Sequence, residues 1–182
     1  MAAAYKGYSL WIVPPAGSEA EAVLQAAIEQ ASAAQGVAPF APHMTLVGAL
    51  PEGMDEDEVC AGAARIAALT PPYTVRGTHV DVLPDLVFRC VFLRIAESAP
   101  VLAAFATAVD EYRLADLPDF ATYMPHVSLL YADIDLAARS AAAQAIAPHV
   151  DGVEFEATTL QVWNTGGPYD QWAMVAEYPL TG

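Results

Sequence analysis

Apolar and polar positions along the chain alternate between two periods, and the changes of period mark its elements. Tyr8-Ser9-Leu10-Trp11-Ile12-Val13 is rich in β-formers and stops at Pro14-Pro15, which predicts a strand. Ala20, Val23, Leu24, Ala27, Ile28 and Ala31 then recur at helical spacing. Ser18-Glu19-Ala20-Glu21 reads as a capping box ahead of them and Gly36 as a stop, so a helix is expected from Ser18 to about Ala34. After Pro42, His43 to Val47 predicts a short strand, and Asp55 to Leu69 a second capped helix ended by Pro71-Pro72. Tyr73 to Leu83 and Val87 to Ile95 read as a hairpin about a Pro84-Asp85 turn.

The second half repeats the rhythm. Pro100 to Arg113 predicts a helix with Val101, Leu102, Phe105, Val109 and Tyr112 on one side, and Leu114 to Tyr123 a loop. His126 to Tyr131 reads as a strand after Pro125. Asp135 caps an alanine-rich helix expected to end at Pro148. Val153 to Trp163 and Trp172 to Tyr178 are the last expected strands, joined by a Gly166-Gly167-Pro168 turn.

One stretch occurs twice. Ala41-Pro42-His43-Met44-Thr45-Leu46 matches Met124-Pro125-His126-Val127-Ser128-Leu129, sharing Pro-His-x-Thr/Ser-Leu. Each copy opens a strand after a proline and precedes a capped helix, which points to an internal duplication: two similar lobes whose central strands meet. Residues two apart on a strand share a face, so His43 lies with Thr45 and His126 with Ser128. Strands set side by side would aim two imidazoles and two hydroxyls into one space. That set suits phosphodiester hydrolysis: one imidazole accepts a proton, the other donates one, and the hydroxyls hydrogen-bond phosphate oxygens. No metal is required by such a scheme.

Composition narrows the partners. The 182 residues are 55% hydrophobic and 16% charged, enough apolar material for one core and too much for disorder. Seven Lys and Arg against 22 Asp and Glu give a net charge of −15, which argues against a protein that grips long nucleic acids. A small anionic ligand remains compatible, because a local site can be positive on an acidic protein. No apolar run approaches the ~20 residues of a membrane helix, and Met1 to Lys6 lack the pattern of a signal peptide. A soluble, cytoplasmic protein is expected, with no membrane partner, and the acidic surface favours a monomer. Cys60 and Cys90 are expected to be free and buried.

Paired His-x-Thr/Ser motifs are the signature of the two-histidine (2H) phosphoesterase superfamily. Within it, the chain resembles the cyclic phosphodiesterases of plants and yeast along nearly its whole length. The likeness includes Ser9 to Pro15, both motifs through Tyr131, Leu160-Gln161-Val162-Trp163-Asn164-Thr165 and the strand near Trp172. The resemblance implies a bilobal α+β fold, with two antiparallel sheets flanked by helices around a central cleft. It implies hydrolysis of ADP-ribose 1″,2″-cyclic phosphate to ADP-ribose 1″-phosphate, and of nucleoside 2′,3′-cyclic phosphates to 2′-nucleotides. It makes His43 and His126 the catalytic histidines, Thr45 and Ser128 the phosphate-binding hydroxyls, and Trp11 and Tyr131 aromatics lining the substrate site. No cofactor or metal is implied.

Some alternatives stay open. Tyr131 is three residues past Ser128 and reaches the cleft only if the strand ends or bulges near Leu130. Trp11 is equally readable as a core aromatic. His126 as base and His43 as acid is the working order, with a bell-shaped pH profile near or slightly below neutrality. An RNA-end phosphodiesterase or 2′-5′ RNA ligase-like protein is the alternative enzyme, and a cyclic-nucleotide binder without turnover the non-enzymatic one. His79 and His149 read as structural or solvated, and Asp133 and Asp135 as turn and cap residues rather than metal ligands. Loops 114–123 and 164–171 are the candidates to close over a site.

Overall fold

A computed structural model of the chain describes residues 7–51, 53–84, 87–117 and 120–182. Asp85 of the expected Pro84-Asp85 turn, Pro118-Asp119 of the expected loop, and Met1 to Lys6 lie outside the described residues. The elements run β1 (Tyr8–Ile12), α1 (Glu19–Gln35), β2 (Met44–Val47), α2 (Glu56–Leu69), β3 (Tyr73–Val82), β4 (Val91–Ile95), α3 (Ala99–Glu111), β5 (His126–Leu130), α4 (Leu136–Val150), β6 (Glu154–Ala157), β7 (Thr159–Asn164) and β8 (Ala173–Pro179). The helix starts follow the capping logic. The Ser18, Asp55 and Asp135 side chains each accept from the backbone N–H three residues on. Gly36 takes the left-handed conformation, φ 66°, that closes α1.

All strand pairs are antiparallel, in the order β6-β3-β4-β5-β2-β1-β7-β8. The α+β architecture is as expected, and β2 and β5 join the sheets of the two halves into one of eight strands. Their contact is the single pair Met44↔Val127, the middle residue of each His-x-Thr/Ser motif. The order β-α-β-α repeats in β1-α1-β2-α2 and β4-α3-β5-α4. The registers repeat as well. Ile12↔Met44 and Trp11↔Thr45 are followed by a bulge and Leu10↔Val47; Leu93↔Val127 and Phe92↔Ser128 are followed by a bulge and Val91↔Leu130. Behind the motifs, Met44, Leu46, Val127 and Leu129 are buried in the core. Burial of each such side chain contributes about 1.5–3 kcal/mol. The helices cross between halves: α1 packs on β5 and α4, and α3 on β2 and α2.

Four sequence expectations shift. Val153–Trp163 is two strands, because Thr158 breaks the run. β6 sits at one edge and β7 on the far side of the sheet, yet one residue joins them, so the sheet curls until its two sides approach at this corner. The Leu180 N–H donates to the Thr158 carbonyl there (2.9 Å). Pro148 does not end α4, which runs to Val150: near the C-terminus the helix loses one N–H to the proline and still closes with Asp151 N–H on the Ala147 carbonyl. Val87–Arg89 forms a 3₁₀ turn, so β4 begins only at Val91. The β7–β8 connection is a longer loop containing a second 3₁₀ turn, Tyr169–Gln171, rather than a tight turn at Gly166-Gly167-Pro168. No helix among the described residues is long and apolar enough to cross a membrane. Both cysteines are free.

Candidate active site

The motif strands set their histidines by backbone contacts that repeat. His43 Nδ1–H donates to the Ala41 carbonyl (2.7 Å), and His126 Nδ1–H donates to the Met124 carbonyl (2.8 Å). In each case the acceptor lies two residues upstream, across the proline. A carbonyl only accepts, so both neutral rings carry their proton on Nδ1, and both Nε2 atoms keep a lone pair. The two rings, Thr45 and Ser128 line one cleft of about 400 Å³. The face-sharing read from the strand period therefore holds in space.

The two imidazoles have different surroundings. His43 is 3% exposed and lies flat against Trp11, ring centres 3.6 Å apart and planes 9° off parallel. Tyr131 Oη donates to its Nε2 at 3.3 Å. His126 is partly exposed and meets Phe92 edge-on at 5.4 Å. Burial lowers the His43 pKa to about 4, partly opposed by the Ala41 carbonyl and helped by the charge of His126. Burial likewise lowers His126 to about 4; the Met124 carbonyl opposes it, and the positive charges of Arg89 and Arg94 add to it. Both rings are therefore neutral near pH 7.

The hydroxyls also differ. Thr45 Oγ1 has no protein partner among the described residues, while its carbonyl accepts from Tyr123 Oη (3.1 Å). Ser128 Oγ donates to the Phe88 carbonyl (2.8 Å). The Thr45 proton is available to a ligand as it stands, and that of Ser128 must first leave Phe88.

Tyr131 does reach the cleft. The bulge inserts Leu129 opposite the Val91/Phe92 step, which reverses the side-chain parity beyond it. Trp11 is a core aromatic, 3% exposed and stacked on His43 and Trp163, and it also lines the cleft. His79 and His149 are exposed on β3 and the last turn of α4, away from the cleft lining. No group of three or more His, Cys, Asp or Glu suited to a metal occurs among the described residues.

Several residues of the cleft and of the walls behind it escape the sequence reading. Arg89 is the one Lys or Arg that lines the cleft among the described residues, and no carboxylate pairs with it there. Nothing in the sequence separates it from the other basic residues, because the expected strand over Val87–Ile95 conceals the 3₁₀ turn that aims it. Phe40 and Tyr123 had a signal: an aromatic stands three residues before each motif histidine. Phe40 stacks on Tyr131 (3.9 Å, 11°) and Tyr123 on Phe105 (4.0 Å, 1°). Each braces a wall of the cleft.

The family model described as the 2′-5′ RNA ligase superfamily matches residues 9–168, a span that contains both motifs and the cleft residues from Ser9 to Thr165. The chain belongs to this superfamily. Its fold matches TT0787 of Thermus thermophilus at 17% identity and a TM-score of 0.61, over 96% of this chain and 98% of that one. It also matches E. coli LigT complexed with NADP+, at 14% identity and a TM-score of 0.58, over 97% and 99% of the two chains. LigT complexed with 3′-AMP matches at 14% identity and a TM-score of 0.57, over 98% and 99%. No curated protein sequence matches the chain. The expected 2H phosphoesterase membership and α+β fold are thus borne out, and the superfamily carries phosphodiesterase chemistry in general.

Proposed function

We propose that the chain is a cyclic phosphodiesterase of small nucleotides. It hydrolyses nucleoside 2′,3′-cyclic phosphates to 2′-nucleotides, and ADP-ribose 1″,2″-cyclic phosphate to ADP-ribose 1″-phosphate. The observation that carries this reading is the pair of carbonyl-anchored imidazoles whose Nε2 lone pairs belong to one cleft with a hydroxyl beside each. The resemblance to the plant and yeast cyclic phosphodiesterases supports the substrate choice.

His126 acts as base. Its Nε2 has no protein partner among the described residues, and two arginines disfavour its protonation. It takes a proton from water as the water oxygen bonds to phosphorus. His43 acts as acid. Burial and the charge of His126 lower its pKa, no arginine adds to them, and a flat indole face favours a cation stacked on it. With the anionic cyclic phosphate bound, His43 takes up a proton on Nε2 and passes it to the 3′-oxygen as the P–O3′ bond breaks; His126 then holds the proton taken from water, so the pair carries one proton before and after the step. Thr45, Ser128 and Arg89 hold the non-bridging oxygens. Trp11 keeps His43 in plane, and Tyr131 must turn its hydroxyl from Nε2 before that proton is used. Proton traffic runs through the histidines and needs no metal.

A second reading, an RNA-end phosphodiesterase acting on oligonucleotides, is favoured by the superfamily itself. One lining arginine among the described residues and a net charge of −15 favour a ligand with few phosphates. The deciding experiment measures turnover of a cyclic mononucleotide, and of an oligonucleotide ending in the same cyclic phosphate, in excess EDTA. A higher kcat/KM for the mononucleotide, with 2′-phosphate as product, sustains the proposal. A preference for the oligonucleotide replaces it with the second reading, and activity only after metal is restored removes the metal-free scheme.

A further inference from the structure

Two indoles stand behind His43, and the second lies outside the cleft. Trp11 lies flat on the imidazole, with centres 3.6 Å apart, and Trp163 stacks on Trp11 in turn at 4.3 Å and 25°. Trp11 lines the cleft and Trp163 does not. Trp163 lines a separate cavity of about 280 Å³, together with Ala41 and Pro42, the two residues that lead into His43. The stack therefore runs from the cleft through its wall to this second cavity. Trp172 also approaches Trp11, but tilted by 57° at 5.8 Å, so it gives no flat support.

A polar lock sets the pitch of the outer indole. Trp163 Nε1–H donates to Gln161 Oε1 (2.8 Å), and Gln161 Nε2–H donates to Glu177 Oε2 (2.6 Å). Gln161 stands opposite Trp11 on β1 and opposite Glu177 on β8. A carboxylate only accepts, so Glu177 decides which end of the amide faces Trp163. Turned over, the amide would set oxygen against carboxylate and N–H against N–H. The cavity makes this lock necessary: Trp163 is partly exposed there, and contact alone does not fix a ring with an open side. The second motif is built otherwise. Asp81 stands opposite Phe92 as Gln161 stands opposite Trp11, but it bonds Arg94 (2.8 Å), whose guanidinium lies over the Phe92 ring at 5.6 Å. A cation backs the ring beside His126, and a second ring backs the one beside His43.

We propose that Trp163, locked by Gln161 and Glu177, is a positioning residue for His43: it pins Trp11 flat against the imidazole and so fixes the direction of Nε2. The bond from Nδ1–H to the Ala41 carbonyl anchors one atom of the His43 ring and leaves the ring free to turn about that anchor. A flat contact removes the turn, and Trp163 is what keeps the contact flat. The proposal rests on the phosphodiesterase reading only for the target of Nε2, the leaving 3′-oxygen. Trp163 stands outside the cleft and touches no substrate, so its effect falls on kcat rather than on KM.

The test measures hydrolysis of adenosine 2′,3′-cyclic phosphate by wild type, Trp163→Leu, Trp163→Phe and Gln161→Leu, and records proton NMR spectra of the same proteins. Trp163→Leu should lower kcat about tenfold and change KM by less than about twofold, the size of one aromatic stack. Trp163→Phe keeps the ring and Gln161→Leu removes only the lock, so each should lose about threefold. The His43 ring protons lie against the Trp11 face and carry its upfield ring-current shift. In Trp163→Leu they should move downfield while those of His126 stay in place, and Trp163→Phe should restore most of the shift. If wild type hydrolyses nothing but the His43 signals behave as described, the positioning role stands and the phosphodiesterase reading falls. Unmoved His43 signals, equal movement of both histidines, or wild-type kcat in a folded Trp163→Leu protein overturns the proposal. Should Trp163→Leu not fold, Gln161→Leu decides it by the same selective shift, and the absence of that shift overturns the proposal.

Discussion

The two copies of the His-x-Thr/Ser motif share a backbone and differ in almost everything around it. In both, Nδ1 is held by the carbonyl two residues back, and the motif strand bulges at the residue after the hydroxyl residue, Leu46 in one and Leu129 in the other. The aromatic opposite Thr45 is Trp11, which lies flat on His43; the one opposite Ser128 is Phe92, which meets His126 edge-on. His43 is capped by Tyr131, and His126 is flanked by the charges of Arg89 and Arg94. Thr45 keeps its proton free, and Ser128 lends its own to Phe88. A repeated backbone makes two like imidazoles. Their unlike neighbours divide the labour between them.

The strongest way to break this comparison is to remove each ring. His43→Ala and His126→Ala should each lower kcat at least about 100-fold, as expected for general acid–base groups. A variant that retains near wild-type turnover removes its histidine from the mechanism. A smaller effect is expected from the hydroxyls. Thr45→Ala should cost about tenfold more in kcat/KM than Ser128→Ala, because only Thr45 is poised to donate. Equal losses in steady-state assays would show that the Ser128 bond to Phe88 is no obstacle.

The pH dependence sharpens the comparison further. With both rings lowered to about 4, the singly protonated pair is most populated near that pH. A bound phosphate favours imidazolium and raises both values. The kcat/KM profile, which reports free enzyme, should therefore peak at a more acidic pH than the kcat profile. This places the free-enzyme bell below the near-neutral position expected from unperturbed histidines. Stability follows the same shifts. The folded values lie below the unfolded 6.5, so the unfolded chain binds more protons between pH 6.5 and about 4, and stability falls as the pH drops through that window. Thermal melts of His43→Ala and His126→Ala should each show a shallower fall there, and slopes equal to wild type would contradict it. The smallest effect concerns packing alone: Phe92→Leu should lower Tm by a few degrees, corresponding to about 1 kcal/mol, with the pH profile unmoved.

Much of this is legible in the sequence. Proline, helix period and capping residues define the elements, and the doubled motif locates the site, because each signal acts within a few residues. Tyr131 was legible only conditionally, since a single inserted residue, Leu129, decides its face. Thr158 was not legible: β-formers on both sides read as one strand, and only the closure of the curled sheet separates them. Arg89 was hidden for a related reason. Val87 to Ile95 has strand composition throughout, yet its first residues form a 3₁₀ segment whose Phe88 carbonyl accepts from Ser128 Oγ, a residue far away in the chain. Local propensity identifies the partners of a bond made nearby and is blind to one made across the sheet.

The crossing of helices between halves has a consequence for how the molecule can be cut. The first half supplies β3 to the strands of the second, the second returns β7 and β8 to the first, and each motif strand is backed by a helix from the other side. A chain opened between β3 and β4 would yield two fragments that each lack the cover for their own apolar face. Neither is a small version of the whole. Mixed together, they would behave as an obligate heterodimer, and recovery of hydrolysis would count the encounters between them.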